Sequence, residues 1–295
     1  MKKVLITGGA GFIGANFSHK FLELGYDVQI LEKEGTSLSR IETLKDKVHY
    51  VDIRKYEEVK NFINELNPDI VLHFATYGAY QSKQQDIETT INTNLLGTIN
   101  LVNACKDVDC FINTSSSSEY GAKDEPMKET DSLNPSNLYG ITKAAATMYC
   151  KDVITTRLFA VYGYMEEKER LIPYVISSCL NNTELKLSSP TSVRDFVFIE
   201  DVIDAYLKLI ENNPKGEVFN IGTGKQHTIE EVVNTVKELT GSTIMPEYNQ
   251  VEKAQIEPKN WLADISKISK YWQPKYNLRE GLKKNIEYER NSQRS

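Results

Sequence analysis

The feature that most restricts this chain is the run Thr7-Gly8-Gly9-Ala10-Gly11-Phe12-Ile13-Gly14, set directly between a β-branched segment, Val4–Thr7, and an amphipathic one, Phe12–Leu24. Gly8, Gly11 and Gly14 fall at the spacing G-x-x-G-x-x-G. A strand that turns sharply into a helix needs glycine there for three reasons: the turn itself, close approach of a pyrophosphate to the backbone, and close helix–strand packing. The first turn of the helix then offers N–H groups without backbone partners and a partial positive charge, which suits phosphate. Glycine-rich turns are common, and it is the place of this one, after a first strand and before a first helix, that makes Gly8, Gly11, Phe12, Ile13 and Gly14 candidate dinucleotide-binding residues.

The rest of the first half keeps the same rhythm. Val28–Glu32, Val48–Val51, Ile70–Phe74, Cys110–Thr114 and Val153–Leu158 read as further strands, with helical patterns at Tyr56–Leu66 and Ile91–Cys105 between them. Repeated β-α-β order predicts a parallel sheet covered on both faces, whose strands are apolar throughout, as in Asp69-Ile-Val-Leu-His-Phe-Ala75. After about Tyr162 the pattern changes to helices (Leu171–Leu180, Asp201–Ile210, Ile229–Leu239, Leu278–Tyr288) among short runs rich in Pro, Asn and Gly. The expectation is an α/β protein with a Rossmann-type doubly wound parallel sheet. Residues 1–162 would form the dinucleotide-binding domain and residues 163–295 a smaller mixed α/β lobe for the substrate, without strict contiguity.

Composition narrows the function classes. A net charge of −6, from 35 basic and 41 acidic residues spread along the chain, leaves no nucleic-acid footprint. No apolar run approaches the ~20 residues that span a bilayer, so no membrane partner is expected. The basic, apolar start runs straight into glycines and reads as a strand rather than a secretory leader. Cys105, Cys110, Cys150 and Cys179 have no C-x-x-C spacing, which points to a reducing, cytoplasmic setting. His19, His49 and His227 lack ligand-spaced partners and His73 sits in an apolar strand, so no metal is predicted. Trp261 and Trp272 read as packing residues.

Further residues fall where a cofactor needs them. Glu32 ends the second strand, where a carboxylate accepts hydrogen bonds from the adenosine ribose and repels a 2′-phosphate. This predicts NAD over NADP, although Lys33 and Arg40 nearby are able to pair with such a phosphate. Asp52, just after the third strand, is placed for the adenine amino group, and a solvated loop acid is an equally good reading. Ile53 beside it and Ala75 after the fourth strand are the other expected cofactor contacts.

Tyr139-Gly-Ile-Thr-Lys143 carries the chemistry. On a helix the two side chains share one face, about 6 Å apart along the axis. A phenol ionises near pH ~10, too high for a neutral-pH base. A neighbouring Lys143 and a positively charged nicotinamide ring both favour phenolate, and such a tyrosine can take a proton from a sugar hydroxyl. Tyr139 and Lys143 are therefore both catalytic and cofactor-binding candidates. The run Thr114-Ser115-Ser116-Ser117-Ser118-Glu119-Tyr120-Gly121 follows the fifth strand, at the sheet edge where ligands bind, and offers hydroxyls to a substrate oxygen.

Together these residues resemble the extended short-chain dehydrogenase/reductase family, in particular its NAD-dependent nucleotide-sugar epimerases and dehydratases. The resemblance spans nearly the whole chain. It continues through Asn94-Leu-Leu-Gly97-Thr98, Arg157-Leu-Phe-Ala-Val-Tyr162-Gly163, Arg194-Asp195-Phe196 and Phe219-Asn220-Ile221-Gly222. It implies that Ser116 is the catalytic hydroxyl, with Ser117 beside it at the substrate, and that Arg194 contacts the substrate's diphosphate. It also implies a homodimer built on the helices around Ile91–Cys105 and Tyr139–Tyr149. The chain departs from the family at Ala160, where an asparagine is usual. It departs again near Lys253, a point charge where the family has a second arginine. The tyrosine-rich loop Thr76–Lys83 makes Tyr77, Tyr80 and Lys83 candidate sugar contacts.

The reaction outcome is read from two positions. Resembling dehydratases carry an Asp–Glu pair, or a Glu alone, immediately after the catalytic hydroxyl residue; here Ser117 and Ser118 stand there. Glu119 is one residue late and, on an extended segment, points away from Ser118. The expected activity is a C4 epimerase acting through NAD on a nucleotide-linked sugar. A net 4-dehydrogenase or 4-keto reductase comes next, then a 4,6-dehydratase. A non-catalytic dinucleotide-binding regulator comes last.

Overall fold

The computed structural model describes residues 1–79, 86–250 and 259–292. Its strands are β1 (Lys3–Thr7), β2 (Asp27–Glu32), β3 (Val48–Tyr50), β4 (Ile70–His73), β5 (Cys110–Ser116), β6 (Ile154–Leu158), β7 (Ala160–Tyr162), β8 (Val193–Arg194), β9 (Phe196–Phe198), β10 (Val218–Ile221) and β11 (His227–Thr228). The helices are α1 (Phe12–Glu23), α2 (Tyr56–Leu66), α3 (Ile87–Ile91), α4 (Thr98–Ala104), α5 (Leu138–Tyr149), α6 (Leu171–Asn181), α7 (Ile199–Asn212), α8 (Ile229–Thr240) and α9 (Leu278–Ser292).

Seven strands form one sheet in the order β10-β6-β5-β4-β1-β2-β3. β1 pairs in parallel with β2 on one side and β4 on the other, Thr7 lying opposite Leu31 and His73. The strand order reverses there, and that is where doubly wound sheets bind ligands. Continuous apolar sequence has its expected cause, since all four residues of β4 are buried. Beneath α2 and α4, Leu5, Leu31, Val59, Ile63, Val71, Leu101 and Phe111 form one apolar cluster. Truncating any of these to alanine costs about 2–5 kcal/mol.

Two segments differ from the sequence expectation. Val218–Ile221, assigned above to the smaller lobe, is the seventh strand of the large sheet. Thr155 N–H donates to Glu217 O and Phe159 N–H to Ile221 O, both at 3.0 Å, so this pairing is also parallel. A short β-branched run looks alike in either place, and only tertiary pairing decides it. The helix expected from Ile91 begins instead at Ile87, where Asp86 Oδ1 caps it by accepting the N–H of Thr89 at 2.9 Å. It passes through a π-helical stretch, Asn92–Gly97, before continuing as α4.

The chain divides into two compact units, neither continuous in sequence. The first comprises Met1–Gly121, Ser132–Leu158 and Leu207–Phe219; the second comprises Ala122–Asp131, Phe159–Tyr206 and Asn220–Ser295. In the second unit β7 pairs with β9 and β11 with β8, and α8 packs against α6 and α9. A reciprocal cap starts α8: Thr228 Oγ1 accepts Glu231 N–H, and Glu231 Oε2 accepts Thr228 N–H. Asp195, fully buried, accepts from the backbone of Thr223, Gly224 and Ala263 and from the Thr223 hydroxyl, which fixes the loop after β10.

No described helix is long and apolar enough to cross a membrane. The four cysteines are buried thiols.

Candidate functional site

The glycine turn is built by exclusion. A Cβ on Gly8 would lie 2.7 Å from Ala75 N, and Gly8 holds φ at +70°. A Cβ on Gly14 would lie 2.2 Å from Gly8 O. Only side-chain-free positions let β1, the exit of β4 and α1 come this close. Helix α1 has no side-chain N-cap, and no acid stands in its first turn. Its first N–H groups therefore face outward as anion donors, and this cradle fits a dinucleotide pyrophosphate.

Glu32 is buried at the end of β2, and its Oε1 accepts the N–H of Ala10 at 2.7 Å. Burial, the largest influence on this carboxyl, pushes its pKa up, and the Ala10 bond opposes that. Glu32 thus ties the second strand to the glycine turn. Asp52 pairs with Arg54, which reaches both carboxylate oxygens at 2.6–3.0 Å and holds the pKa of Asp52 below the usual range. Ile53 is buried, with its carbonyl accepting from Asn100 Nδ2 at 3.0 Å.

Between β1 and β4 runs a buried polar chain. His73 Nδ1 lies 2.7 Å from Thr7 Oγ1, and Nε2 lies 2.9 Å from Thr98 Oγ1. The Thr98 hydroxyl donates to Asn94 O at 2.7 Å, so it accepts from Nε2–H, and Nδ1 accepts from Thr7. Burial, with Lys143 adding to it, holds this imidazole down to about 3 and therefore neutral.

The serine turn at the end of β5 is built by side chains. Ser116 Oγ accepts the N–H of Ser118 at 3.1 Å and bends the chain into a 3-10 turn over Ser117–Glu119. Glu119 therefore does not follow strand alternation as expected, because the segment is not extended. Glu119 is fully buried, and Arg157 Nε donates to its Oε2 at 2.7 Å. Its Oε1 accepts from Thr147 Oγ1 at 2.6 Å and from the Ser115 hydroxyl. A buried ion pair with these extra bonds is a costly group to break.

Helix α5 carries Tyr139 and Lys143. Asn137 caps it, its Oδ1 accepting the N–H of Gly140 at 2.8 Å. A Cβ on Gly140 would lie 2.6 Å from Ser118 O, so a glycine next to Tyr139 brings the helix start against the serine turn. Lys143 is 4% exposed and donates to Thr114 O at 2.7 Å. Burial is the main influence that pulls its amine down to about 8, opposed by Glu119.

Asn94, in the π-helical stretch, is the residue whose role sequence reasoning missed. Its Oδ1 accepts from Tyr77 N–H at 2.8 Å and Thr76 Oγ1 at 3.0 Å. Its Nδ2 donates to Tyr77 O at 2.9 Å and Thr142 Oγ1 at 3.1 Å. Thr142 Oγ1 in turn donates to Tyr139 O at 2.9 Å. One buried amide thus fixes both the backbone of Tyr77 and the turn of α5 that carries the tyrosine. The available signal was the Asn-x-x-Gly-Thr run, which gives no hint of a π-turn.

The glycine turn, Glu32, Ala75, Tyr77, Ser116, Ser117, Tyr139 and Lys143 all belong to the first unit. Arg194 belongs to the second unit. Its guanidinium lies 5.5 Å from the centroid of the Trp261 ring, and its Nη1 donates to Val193 O at 2.6 Å. Tyr80, Lys83 and Lys253 lie outside the described residues.

Comparison with known proteins agrees with this geometry. The NAD dependent epimerase/dehydratase family matches residues 4–222. The dTDP-D-glucose 4,6-dehydratase of Homo sapiens is 31% identical, the alignment covering 98% of this chain and 90% of the human protein. The UDP-glucose 4-epimerase of Thermotoga maritima, solved with UDP-glucose, superposes with a TM-score of 0.91 at 27% identity, covering 99% of each chain. The Thermus thermophilus UDP-glucose 4-epimerase, solved with NAD, superposes with a TM-score of 0.85 at 25% identity, covering 98% of this chain and 99% of that one.

Proposed function

This chain belongs to the NAD dependent epimerase/dehydratase family, and on that premise we propose that it is a nucleotide-sugar C4 epimerase. The observation that carries the reading is the seating of Lys143: buried on the face of α5 that also holds Tyr139, with its amine on the Thr114 carbonyl of β5. The glycine cradle, with Glu32 at the ribose position, supports NAD as the cofactor, with Gly8, Gly11, Phe12, Ile13, Gly14, Asp52, Ile53 and Ala75 as its contacts. Held there, NAD would supply a reversible hydride acceptor for the sugar carbon. Tyr139 takes the proton of the C4 hydroxyl, Lys143 favours its phenolate, and Ser116 donates a hydrogen bond to the same oxygen. The bond that Ser116 Oγ accepts from Ser118 N–H leaves its own hydrogen available for that donation.

Dehydration would need a further acid and base at C6 and C5. Ser117 and Ser118 cannot fill those roles at neutral pH, and Glu119 is held in its pair with Arg157. Epimerisation asks only that the oxidised sugar present its other face, so that C4 regains hydride from the reduced cofactor and the C4 oxygen its proton from Tyr139. The names of the relatives make UDP-glucose and dTDP-glucose the first substrates to try.

Arg194 is the proposed diphosphate ligand, with Lys253 as a second cation and Tyr77, Tyr80, Lys83 and Ser117 as sugar contacts. Leu96, Ile141, Met148 and Tyr149 are large apolar side chains 42–61% exposed, on the π-helical stretch and on α5. They support a homodimer through that face. Buried thiols fit a cytoplasmic setting.

The test is incubation with NAD and each nucleotide sugar, the products followed by NMR. A C4-inverted sugar with no net NADH is expected. A 4-keto-6-deoxy product would overturn the argument from Ser117, Ser118 and Glu119, and stoichiometric NADH would favour a net dehydrogenase.

A further inference from the structure

We propose that Glu119 is a positioning residue for the Tyr139–Lys143 pair: its carboxylate ties β5, α5 and β6 together and sets a negative charge against Lys143. The inference rests on the reading of Tyr139 and Lys143 as the proton-handling pair.

The geometry grips Lys143 from two sides. Its amine sits on Thr114 O, and the next residue, Ser115, gives its hydroxyl to Glu119. Thr147 stands one helical turn beyond Lys143 on the same face of α5 and gives its hydroxyl to the same carboxylate oxygen at 2.6 Å. The other oxygen takes Arg157 Nε from β6 at 2.7 Å. Strand and helix are therefore stitched together immediately beside the lysine, through a side chain with no exposed surface.

A neutral amide would keep much of this stitching, so the charge has a separate role. Lys143 is buried, which works against its ammonium form, and Glu119 works in the opposite direction. Two other groups near Lys143 are uncharged. His73 from β4 is neutral, and burial pushes the Cys150 thiol at the end of α5 up to about 12. Arg157 faces Glu119 and also donates to Tyr120 OH at 2.8 Å, its guanidinium 4.6 Å from that ring's centroid. Glu119 thus answers two buried cations, one catalytic and one structural, and it sustains the lysine charge that favours phenolate at Tyr139.

The test reads Lys143 directly, in the full chain with NAD bound. The side-chain nitrogen is followed by NMR in nitrogen-labelled-lysine protein and assigned with Lys143→Met. Glu119→Gln should lower the pH at which Lys143 loses its proton by about one unit, because it removes a neighbouring negative charge. Thr147→Val, which keeps every charge, should leave that pH unchanged while lowering kcat without moving KM. If Glu119→Gln does not fold, the kcat of Thr147→Val decides. An unmoved Lys143 midpoint in Glu119→Gln, or a native kcat in Thr147→Val, overturns the inference. Near-native turnover in Lys143→Met would instead refute the underlying reading of the pair, whatever Glu119 does.

Discussion

Two turns at the carboxyl ends of strands in the same sheet, one after β1 and one after β5, are held by opposite means. The glycine turn exists because atoms are missing: a Cβ on Gly14 would sit 2.2 Å from Gly8 O. The serine turn exists because atoms are present, from the Ser116 hydroxyl on Ser118 N–H to the bonds gathered on Glu119. The first tolerates no addition and the second no subtraction. The difference matches their proposed tasks. A pyrophosphate is bound by bare backbone donors, whereas proton transfer needs side chains with tuned charge and fixed position.

Subtraction at the serine side should have the largest effect. Tyr139→Phe removes one oxygen and is expected to lower kcat by about 10²–10⁴-fold while leaving the NAD dissociation constant near its native value. Near-native turnover in steady-state assays would remove Tyr139 from the mechanism. Addition at the glycine side should act on binding and stability instead. Gly14→Ala forces a methyl onto Gly8 O and should cost about 1–3 kcal/mol in denaturant unfolding, together with a loss of NAD affinity by calorimetry. A Gly14→Ala protein that binds NAD normally would show that the turn can relax, and the contrast between the two turns would collapse. Gly140 already blurs it, being one position in the serine region where a Cβ would meet backbone, 2.6 Å from Ser118 O.

The same contrast explains what the sequence reveals. A backbone that admits no side chain is satisfied by one residue type, so Gly8, Gly11 and Gly14 announce themselves by spacing alone. Tyr139 and Lys143 were legible because four residues make one helical turn. Glu119 was not. Its partners Ser115, Thr147 and Arg157 are spread over 43 positions, counted from 115 to 157 inclusive, and nothing local distinguishes a buried ion pair from a solvated acid. The role of Asn94 was hidden for a related reason, since its four hydrogen bonds depend on a π-turn and on tertiary neighbours. The pairing of Val218–Ile221 with β6 was not legible either, because β-branched composition selects a strand but not the strand beside it.

The histidine at the centre of the sheet has a consequence for where this protein can survive. Wedged between Thr7 and Thr98, His73 refuses a proton in the fold until about pH 3, whereas in the unfolded chain it accepts one near pH ~6.5. Below that value the unfolded chain holds one proton more than the native one, so stability falls as the medium acidifies. From this residue alone the loss approaches about 1.4 kcal/mol per pH unit between roughly 6.5 and 3. NMR of the His73 ring in the native protein at descending pH should show it neutral throughout, and a ring that gains its proton above pH ~5 would mean that the imidazole is protonated in place. The residue that closes the sheet's central seam thus ties the stability of the fold to the acidity of the medium around it.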